Sequence, residues 1–557
     1  MSDFVNEKCP WPDYPRPQFK RDSFFNLNGK WDLSVLTSEG LSPLGEILVP
    51  YPPESEISGI KRNLNPGEKY VYSRKFILPE DFTKDLVVLH FGAVDQFAEI
   101  QINDLSVGSH LGGYLPFSFD ITDFLKQGEN TITVTVTDDL DLELPYGKQR
   151  RNRGGMWYTP VSGIWQTVWM ESLPRQYLCG LEVKTEGNRV RIITSGGLPE
   201  KTLIFNGLEY NYSGNSFEFA VQNPLMWTPQ SPHLYDFKIV SGLDSVESYF
   251  AFRDVSVQSI NGKSYISVNG KPCFFHGLLD QGYFSDGIYT PASPDEYKRD
   301  ILSMKDLGFN TLRKHIKIEP DLFYYYCDKY GMFVFQDMVN SGKYNFFIDT
   351  VLPTLGLKKG ITHRASKFRS GHFEQTAFDT AKLLHNHPSV VYYTIFNEGW
   401  GQYDADRIYG QMKALDPSRI WDATSGWFTE KLSDVTSEHV YFKPIRIKAR
   451  PDRPLVLSEF GGYSYKILEH SFNLQKTYGY RFFTQKDDFC AALKKLYLDE
   501  IISSIKGGLC VAILTQVSDV EDETNGLLTY DRKVLKVDAD LMREISVALY
   551  KAFEESL

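Results

Sequence analysis

Short apolar and β-branched runs fill the first third of the chain: Leu86–Phe91, Ala98–Ile102 and Thr131–Val136. Turn residues separate them, at Asn103-Asp104, Gly112-Gly113 and Gln127-Gly128-Glu129-Asn130. Strands this close, without long helical stretches between them, predict an antiparallel sandwich over residues 1–175. A second β segment, 176–258, holds Arg189–Ile193, Thr202–Phe205 and Tyr235–Ile239 and has the size of one immunoglobulin-like sandwich. From 259 to 557 the pattern alternates. Apolar strand candidates are Cys273–Leu278, Asn310–Arg313, Met332–Gln336, Val390–Phe396, Arg419–Asp422, His439–Phe442, Leu455–Ser458 and Leu509–Leu514. Helical patterns fall at Pro294–Leu307, Pro320–Tyr330, Glu374–His385, Tyr403–Leu415, Lys486–Ile505 and Asp538–Glu554. This alternation predicts a (β/α)8 TIM barrel, with short, helix-free connections after strands five and six. The fold class is therefore multidomain, β followed by α/β.

With 557 residues, 42% hydrophobic and 24% charged, the chain has an ordinary globular composition. Its net charge of −11 disfavours nucleic acid as a partner, since phosphate binding needs clustered basic charge. No apolar run approaches the ~20 residues of a membrane helix, and the first residues carry no apolar secretory core, so no membrane partner and a cytoplasmic location are expected. Six scattered cysteines, none in a CxxC pair, fit free thiols in a reducing compartment. Signatures for nucleotide loops, serine hydrolases and zinc proteases are missing, so neither cofactor nor metal is expected.

A barrel keeps its chemistry at the C-terminal ends of its strands. Val390–Phe396 runs into Asn397-Glu398-Gly399-Trp400, and Leu455–Ser458 runs into Glu459-Phe460-Gly461-Gly462. The fourth and seventh strands face each other across the barrel, so Glu398 and Glu459 can converge. Glycoside hydrolysis needs such a pair, one acid to protonate the leaving oxygen and one carboxylate at the anomeric carbon. A lone strand-end Glu is usually a structural ion-pair partner; two in matching contexts are not.

These motifs resemble the acid/base and nucleophile motifs of glycoside hydrolase family 2, the family of β-galactosidases, β-glucuronidases and β-mannosidases. Pro15-Arg16-Pro17, Leu27–Trp31, Gly112–Phe117, Ser162–Trp165, Trp227–Tyr235 and Asn386–Val390 are similar to other family motifs in the family's order. The resemblance implies a jelly-roll, sugar-binding-like first domain (1–175), an immunoglobulin-like second (176–258) and a catalytic barrel (259–557). It implies a retaining exo-glycosidase working by double displacement, with Glu459 as nucleophile, Glu398 as acid/base and Asn397 on the sugar 2-hydroxyl. A β-galactosidase-like activity is the leading specific expectation; arabinosidase, galactofuranosidase and glucuronidase activities, a transglycosylase, and a non-catalytic carbohydrate binder are the alternatives. Family members are often dimers or tetramers, so a homo-oligomer is an option the resemblance brings.

By the same resemblance Arg313 supports the nucleophile and Tyr441 donates to it, though a salt bridge and a core aromatic are the competing roles. After Arg313 the family's usual binding His is replaced by Ile316, which leaves His315 or Lys317 to compensate. Asp337 is balanced between a sugar-hydroxyl ligand and an ion-pair partner. Asp280, after strand one, is placed to bind hydroxyls, and His439 shares a strand face with Tyr441. Trp400 and Trp427 offer faces for sugar stacking, against the commoner fate of packing. Asp95 lies on a sandwich loop that reaches the barrel mouth in relatives. The long basic segment Val339–Phe373 (Lys343, Lys358, Lys359, Arg364, Lys367, Arg369) reads as a pocket wall, an oligomer contact or a solvated loop. The acidic stretch Val517–Leu527 lacks the motif that grips a uronic acid, and an acidic rim should repel one.

Overall fold

The computed structural model describes residues 9–357 and 363–557. The first sandwich has a six-stranded antiparallel sheet in the order Gly40–Val49, Gly29–Thr37, Lys69–Ile77, Glu129–Thr137, Phe97–Ile102, Leu105–Leu111. A four-stranded sheet faces it: Phe25–Asn26, Val168–Leu173, Leu86–Phe91, Phe117–Asp120. Glu129–Thr137 shows the logic of the pattern, since Asn130, Ile132, Val134 and Val136 are buried while the residues between them are partly exposed or fully exposed. Trp31, Tyr70, Tyr72 and Phe91 close the core between the sheets. The second sandwich packs three strands (Leu178–Glu186, Arg189–Gly196, Ser216–Ala220) against four (Leu208–Ser213, Glu200–Phe205, Tyr235–Ser241, Asp244–Phe250).

Eight parallel strands build the barrel: Phe275–Asp280, Thr311–Lys314, Phe333–Asp337, Val390–Asn397, Ile420–Ser425, Thr436–Val440, Leu455–Gly461 and Leu509–Thr515. Hydrogen-bonded ladders run five-four-three-two-one-eight-seven-six, and strands five and six lie side by side to close the ring. Helices Asp295–Asp306, Asp321–Tyr330, Lys367–Leu383 and Ala405–Leu415 follow the first four strands. Among the described residues no helix follows strands five and six, in keeping with the short connections there. No helix among the described residues is long and apolar enough to cross a membrane.

Three sequence expectations need correcting. The sixth strand spans Thr436–Val440, not His439–Phe442. Its polar start is stabilised by a 2.6 Å hydroxyl pair, Ser437 with Ser458, and Phe442 is left exposed outside it. The first strand begins at Phe275, two residues later than expected. The helix after strand three starts at Lys367 instead of Glu374, because Ser366 Oγ accepts the Arg369 amide (3.0 Å) and caps it. Of the basic residues in the preceding segment, Lys358 and Lys359 lie outside the described residues.

Candidate active site

Glu459 owes its position to a register shift. Strand six pairs Glu438 with Leu457 but His439 with Glu459, so Ser458 is an extra residue, a bulge that re-aims the next side chain. The Glu459 carboxylate is buried (5% exposed) and receives Arg313 Nη1 at 3.0 Å on Oε1 and the Tyr441 hydroxyl on Oε2. Burial alone would push its pKa up. The His439 imidazole and the Arg313 guanidinium, with His315 and Tyr441, outweigh burial and hold it down at about 2. Arg313 is the hub of the site. Nε donates to Asp337 Oδ1 (3.0 Å), Nη1 also to the Ser458 carbonyl (3.0 Å), and Nη2 to Asn397 Oδ1 (2.8 Å) and Ser425 Oγ (3.1 Å). Only a planar fork of five N–H groups can satisfy that set.

Strand four ends at Asn397, and Glu398 then turns left-handed (φ +51°), followed by Gly399 (φ +72°). Positive φ is costly for a non-glycine residue and gathers at functional sites. A side chain at 399 would in addition have to displace the Phe428 ring, which would lie 2.3 Å from its Cβ. The turn brings Glu398 Oε1 to 2.8 Å from His439 Nδ1, which lies 3.5 Å from Glu459 Oε2. One oxygen of each Glu and this ring nitrogen all lie within 4.8 Å of one another, the one such group among the described residues compact enough to hold a cation. Arg313 occupies the Asn397 carbonyl oxygen, so the amide nitrogen points the other way, free for an acceptor.

The remaining candidates divide. Asp337 accepts Arg313 and His315 Nδ1 (2.8 Å), and both oxygens are spent on that buried pairing. His315, whose pKa burial lowers, is thus the residue that joins the network. Lys317 is corrected: its ammonium bonds the Gly282 carbonyl (2.6 Å), the Tyr289 carbonyl (2.8 Å) and Glu319 (3.0 Å), away from the carboxylates. The left-handed backbone at Ile316 (φ +42°) breaks the alternation that would have kept 317 on the face of 313 and 315. Asp280 pairs with Lys314 (2.7 Å) at the end of strand one. Asp95 is buried inside the sandwich, where Gln149 Nε2 bonds it at 2.9 Å and burial raises its pKa well above the carboxylate range. Trp400 is packed beneath Trp157 (centroids 5.1 Å apart) and offers no open stacking face, whereas Trp427 is half-buried, 6.2 Å from the His439 ring.

Several neighbours carry no sequence signal. Tyr480 stacks on Tyr441 at 4.1 Å, and Thr515 Oγ1 lies 2.8 Å from the Tyr441 hydroxyl. The sandwich segment Leu140–Tyr158 reaches the barrel mouth, where Tyr146 donates to the Gly342 carbonyl (2.8 Å) and Trp157 meets Trp400 and Tyr344. Most of the acidic stretch is bonded within the protein, with Asp519 Oδ2 buried and unpartnered among the described residues. Glu521 takes the Thr159 amide and Arg153, Glu523 takes the Tyr158 hydroxyl and Asn525, and Asp519 takes Lys536.

Comparison with known proteins agrees with this architecture. Models described as "Glycosyl hydrolases family 2, sugar binding domain", "Glycosyl hydrolases family 2" and "Glycosyl hydrolases family 2, TIM barrel domain" match residues 47–174, 169–253 and 259–463. A β-galactosidase of Leuconostoc mesenteroides subsp. mesenteroides is 25% identical over 79% of this chain and 44% of its own length. Human β-glucuronidase is 23% identical over 62% of this chain and 58% of its own. A putative β-glucuronidase of Formosa agariphila is 25% identical over 50% of this chain; the match spans only 36% of that protein, so this chain covers well under half of some curated relatives. The solved β-D-glucuronidase of Dictyoglomus thermophilum superposes with TM-score 0.76 at 18% identity, covering 96% of this chain and 98% of that one. A β-galacturonidase from Eisenbergiella tayi, bound to galacturonate, gives 0.70 at 17%, covering 96% and 99%. Three models of one family, matched in order along two sandwiches and a barrel whose mouth joins two glutamates, establish that the chain belongs to glycoside hydrolase family 2.

Proposed function

We propose that this protein is a retaining, exo-acting glycosidase that removes a terminal sugar from a glycoside or oligosaccharide. The observation that carries the reading is the approach of Glu398 and Glu459, with oxygens inside 4.8 Å. Retaining enzymes hold their carboxyls about 5–5.5 Å apart, while inverting ones need about 6.5–9.5 Å for an intervening water. Glu459, kept ionised by Arg313 and Tyr441, attacks the anomeric carbon as Glu398 protonates the departing oxygen. Glu398, now a carboxylate, takes a proton from water, which displaces Glu459 and releases the sugar with its configuration kept. Asn397 is oriented to hold the 2-hydroxyl, and the Trp157–Trp400 wall closes the sandwich side of the mouth, which favours exo cleavage.

The leading sugar from sequence is a β-galactoside, with a glucuronide as one alternative; relatives of both names match the chain. The sequence argument against an acidic sugar is weakened but stands, because Glu521 and Asp519 are paired with Arg153 and Lys536 while Asp522 and Glu523 are bonded by neutral groups and keep their charge. The test is proton NMR of the first product from a panel of aryl β-glycosides, where the β anomer should appear first. Glu459→Gln should lower kcat at least ~10³-fold, the scale of losing a catalytic unit, and Glu398→Ala should regain activity on an activated aryl glycoside when azide is added. An α anomer first, or full activity in Glu459→Gln, rejects the mechanism. Glycan binding without turnover would favour a carbohydrate-binding protein, and transfer to excess sugar acceptor a transglycosylase.

A further inference from the structure

The first sandwich covers one side of the barrel mouth and leaves the other open. Tyr146 donates to the Gly342 carbonyl after strand three (2.8 Å), and Trp157 packs on Trp400 after strand four. Tyr158 meets Tyr283 after strand one (ring centres 4.8 Å apart), and the Thr159 amide donates to Glu521 after strand eight (2.8 Å). Arg153 covers Phe472 after strand seven at 4.5 Å. The loops after strands five and six stand outside these contacts, and among the described residues neither carries a helix. Glu398 is held toward that opening, because the ring that bonds it, His439, belongs to strand six. A leaving group protonated by Glu398 therefore departs over strands five and six.

That edge of the mouth is aromatic. Phe442, two residues past strand six, is 77% exposed. Its ring meets Tyr480 edge-on at 4.8 Å, and Tyr480 lies flat on Tyr441 (4.1 Å, 21° between planes), whose hydroxyl donates to Glu459. A Cβ at Gly462 would lie 2.2 Å from the Tyr480 ring and 3.3 Å from that of Tyr441, so a glycine there lets the two rings stack. Trp427, after strand five, is half-buried, 6.2 Å from the His439 ring. A lone exposed phenylalanine on a surface means little. Three rings from three successive loops, joined through His439 and Tyr441 to both carboxylates, make a platform. The polar group beneath it is already engaged, since the Tyr441 hydroxyl is shared between Glu459 and Thr515 Oγ1 (2.8 Å). Phe442 itself offers only hydrocarbon. A sugar leaving group needs partners for its hydroxyls, whereas a flat apolar ring needs only faces.

We infer that Phe442, with Tyr480 and Trp427, forms the leaving-group subsite and selects glycosides whose leaving group is a flat apolar ring over those that release a second sugar. This rests on the glycosidase reading above and concerns the part of the substrate which that reading leaves open.

The experiment compares Phe442→Ala, Phe442→Tyr and the unmodified full chain on four β-glycosides of the one sugar that the aryl panel selects, with 2-naphthyl, phenyl, trifluoroethyl and glucosyl leaving groups. Phe442 is exposed enough that both variants should fold, which melting curves check. An aromatic contact of this kind is worth about 3–10-fold. The ratio of kcat/KM on the naphthyl glycoside to that on the trifluoroethyl glycoside should fall by about that factor in Phe442→Ala, most of it in KM, with a smaller fall for phenyl and recovery in Phe442→Tyr. Because each ratio is compared across variants, the intrinsic reactivity of the leaving groups cancels. Equal losses on all four substrates, or the largest loss on the disaccharide, overturn the inference. A second measurement needs no turnover. In equilibrium dialysis, free 2-naphthol should bind the unmodified chain more tightly than Phe442→Ala. If no glycoside is cleaved but naphthol binding appears and depends on Phe442, the glycosidase reading fails and the aromatic subsite stands. If naphthol binds both proteins alike, or neither, the subsite fails whatever the enzyme hydrolyses.

Discussion

Arg313 concentrates the site's electrostatics in one side chain. It holds Glu459, Asp337, Asn397 and Ser425 at once, so its replacement disturbs the proposed nucleophile and the proposed sugar contact together. Lysine keeps the charge but can satisfy at most three of these partners. Arg313→Lys should therefore lower kcat/KM by about 10²–10³-fold, the scale of removing a preorganised donor from a reacting centre, with folding retained; steady-state kinetics beside a melting curve checks both. Glu459 also links the site to pH. Its folded pKa, about 2, is below the ordinary 4.5. It therefore contributes stability that is fully present above about pH 4.5 and is lost as pH falls toward 2. Between pH 5 and 3 the urea midpoint of Glu459→Gln should fall less steeply than that of the unmodified chain. At this scale the meeting of Glu398, Glu459 and Arg313 at one barrel mouth was legible, since each is a polar residue ending an apolar run. Lys317 was misjudged because a single left-handed residue, Ile316, is invisible to a period-two reading.

Strands and helices were legible wherever side-chain periodicity decided them. The barrel strands rich in Val, Leu and Phe lie within a few residues of expectation, because burial on both faces leaves continuous apolar runs. The sixth strand was displaced because it is held by hydroxyls, Ser437 on Ser458, more than by hydrophobic pattern. The bulge at Ser458 was equally hidden, since it depends on the partner strand's register. Helix Lys367–Leu383 started early because its first turn is polar and basic, and only its cap betrays it. Ser366→Ala should cost about 1 kcal/mol, the usual worth of an N-cap, read as a lower urea midpoint. Arg369, held to the Gly401 carbonyl at 2.8 Å, should keep the rest of the helix docked.

The order of the three domains was legible in the chain, and the motifs that carried it turn out to be latches. Trp227 of the second sandwich donates to the Asp328 carbonyl of the barrel (2.8 Å), and Asp328 in turn holds His387 (2.6 Å) and Tyr249 (2.7 Å). Arg16 and Arg21 converge on the buried Glu171 (2.7 and 3.2 Å). Trp165 donates to the Gly113 carbonyl (2.8 Å), tying two sandwich motifs together. Trp227→Ala should destabilise the fold by about 3–5 kcal/mol, as emptying a buried tryptophan site does. Calorimetry would show the lowered transition, and activity per folded molecule should be retained. What the chain did not disclose was the meeting of Leu140–Tyr158 with the barrel mouth, because no local pattern couples segments so distant in sequence. That meeting divides labour between separate stretches of the gene. Mutations in the sandwich loop can reshape one wall of the mouth while Glu398 and Glu459 stay untouched, and a barrel excised on its own would keep both glutamates but lose that wall.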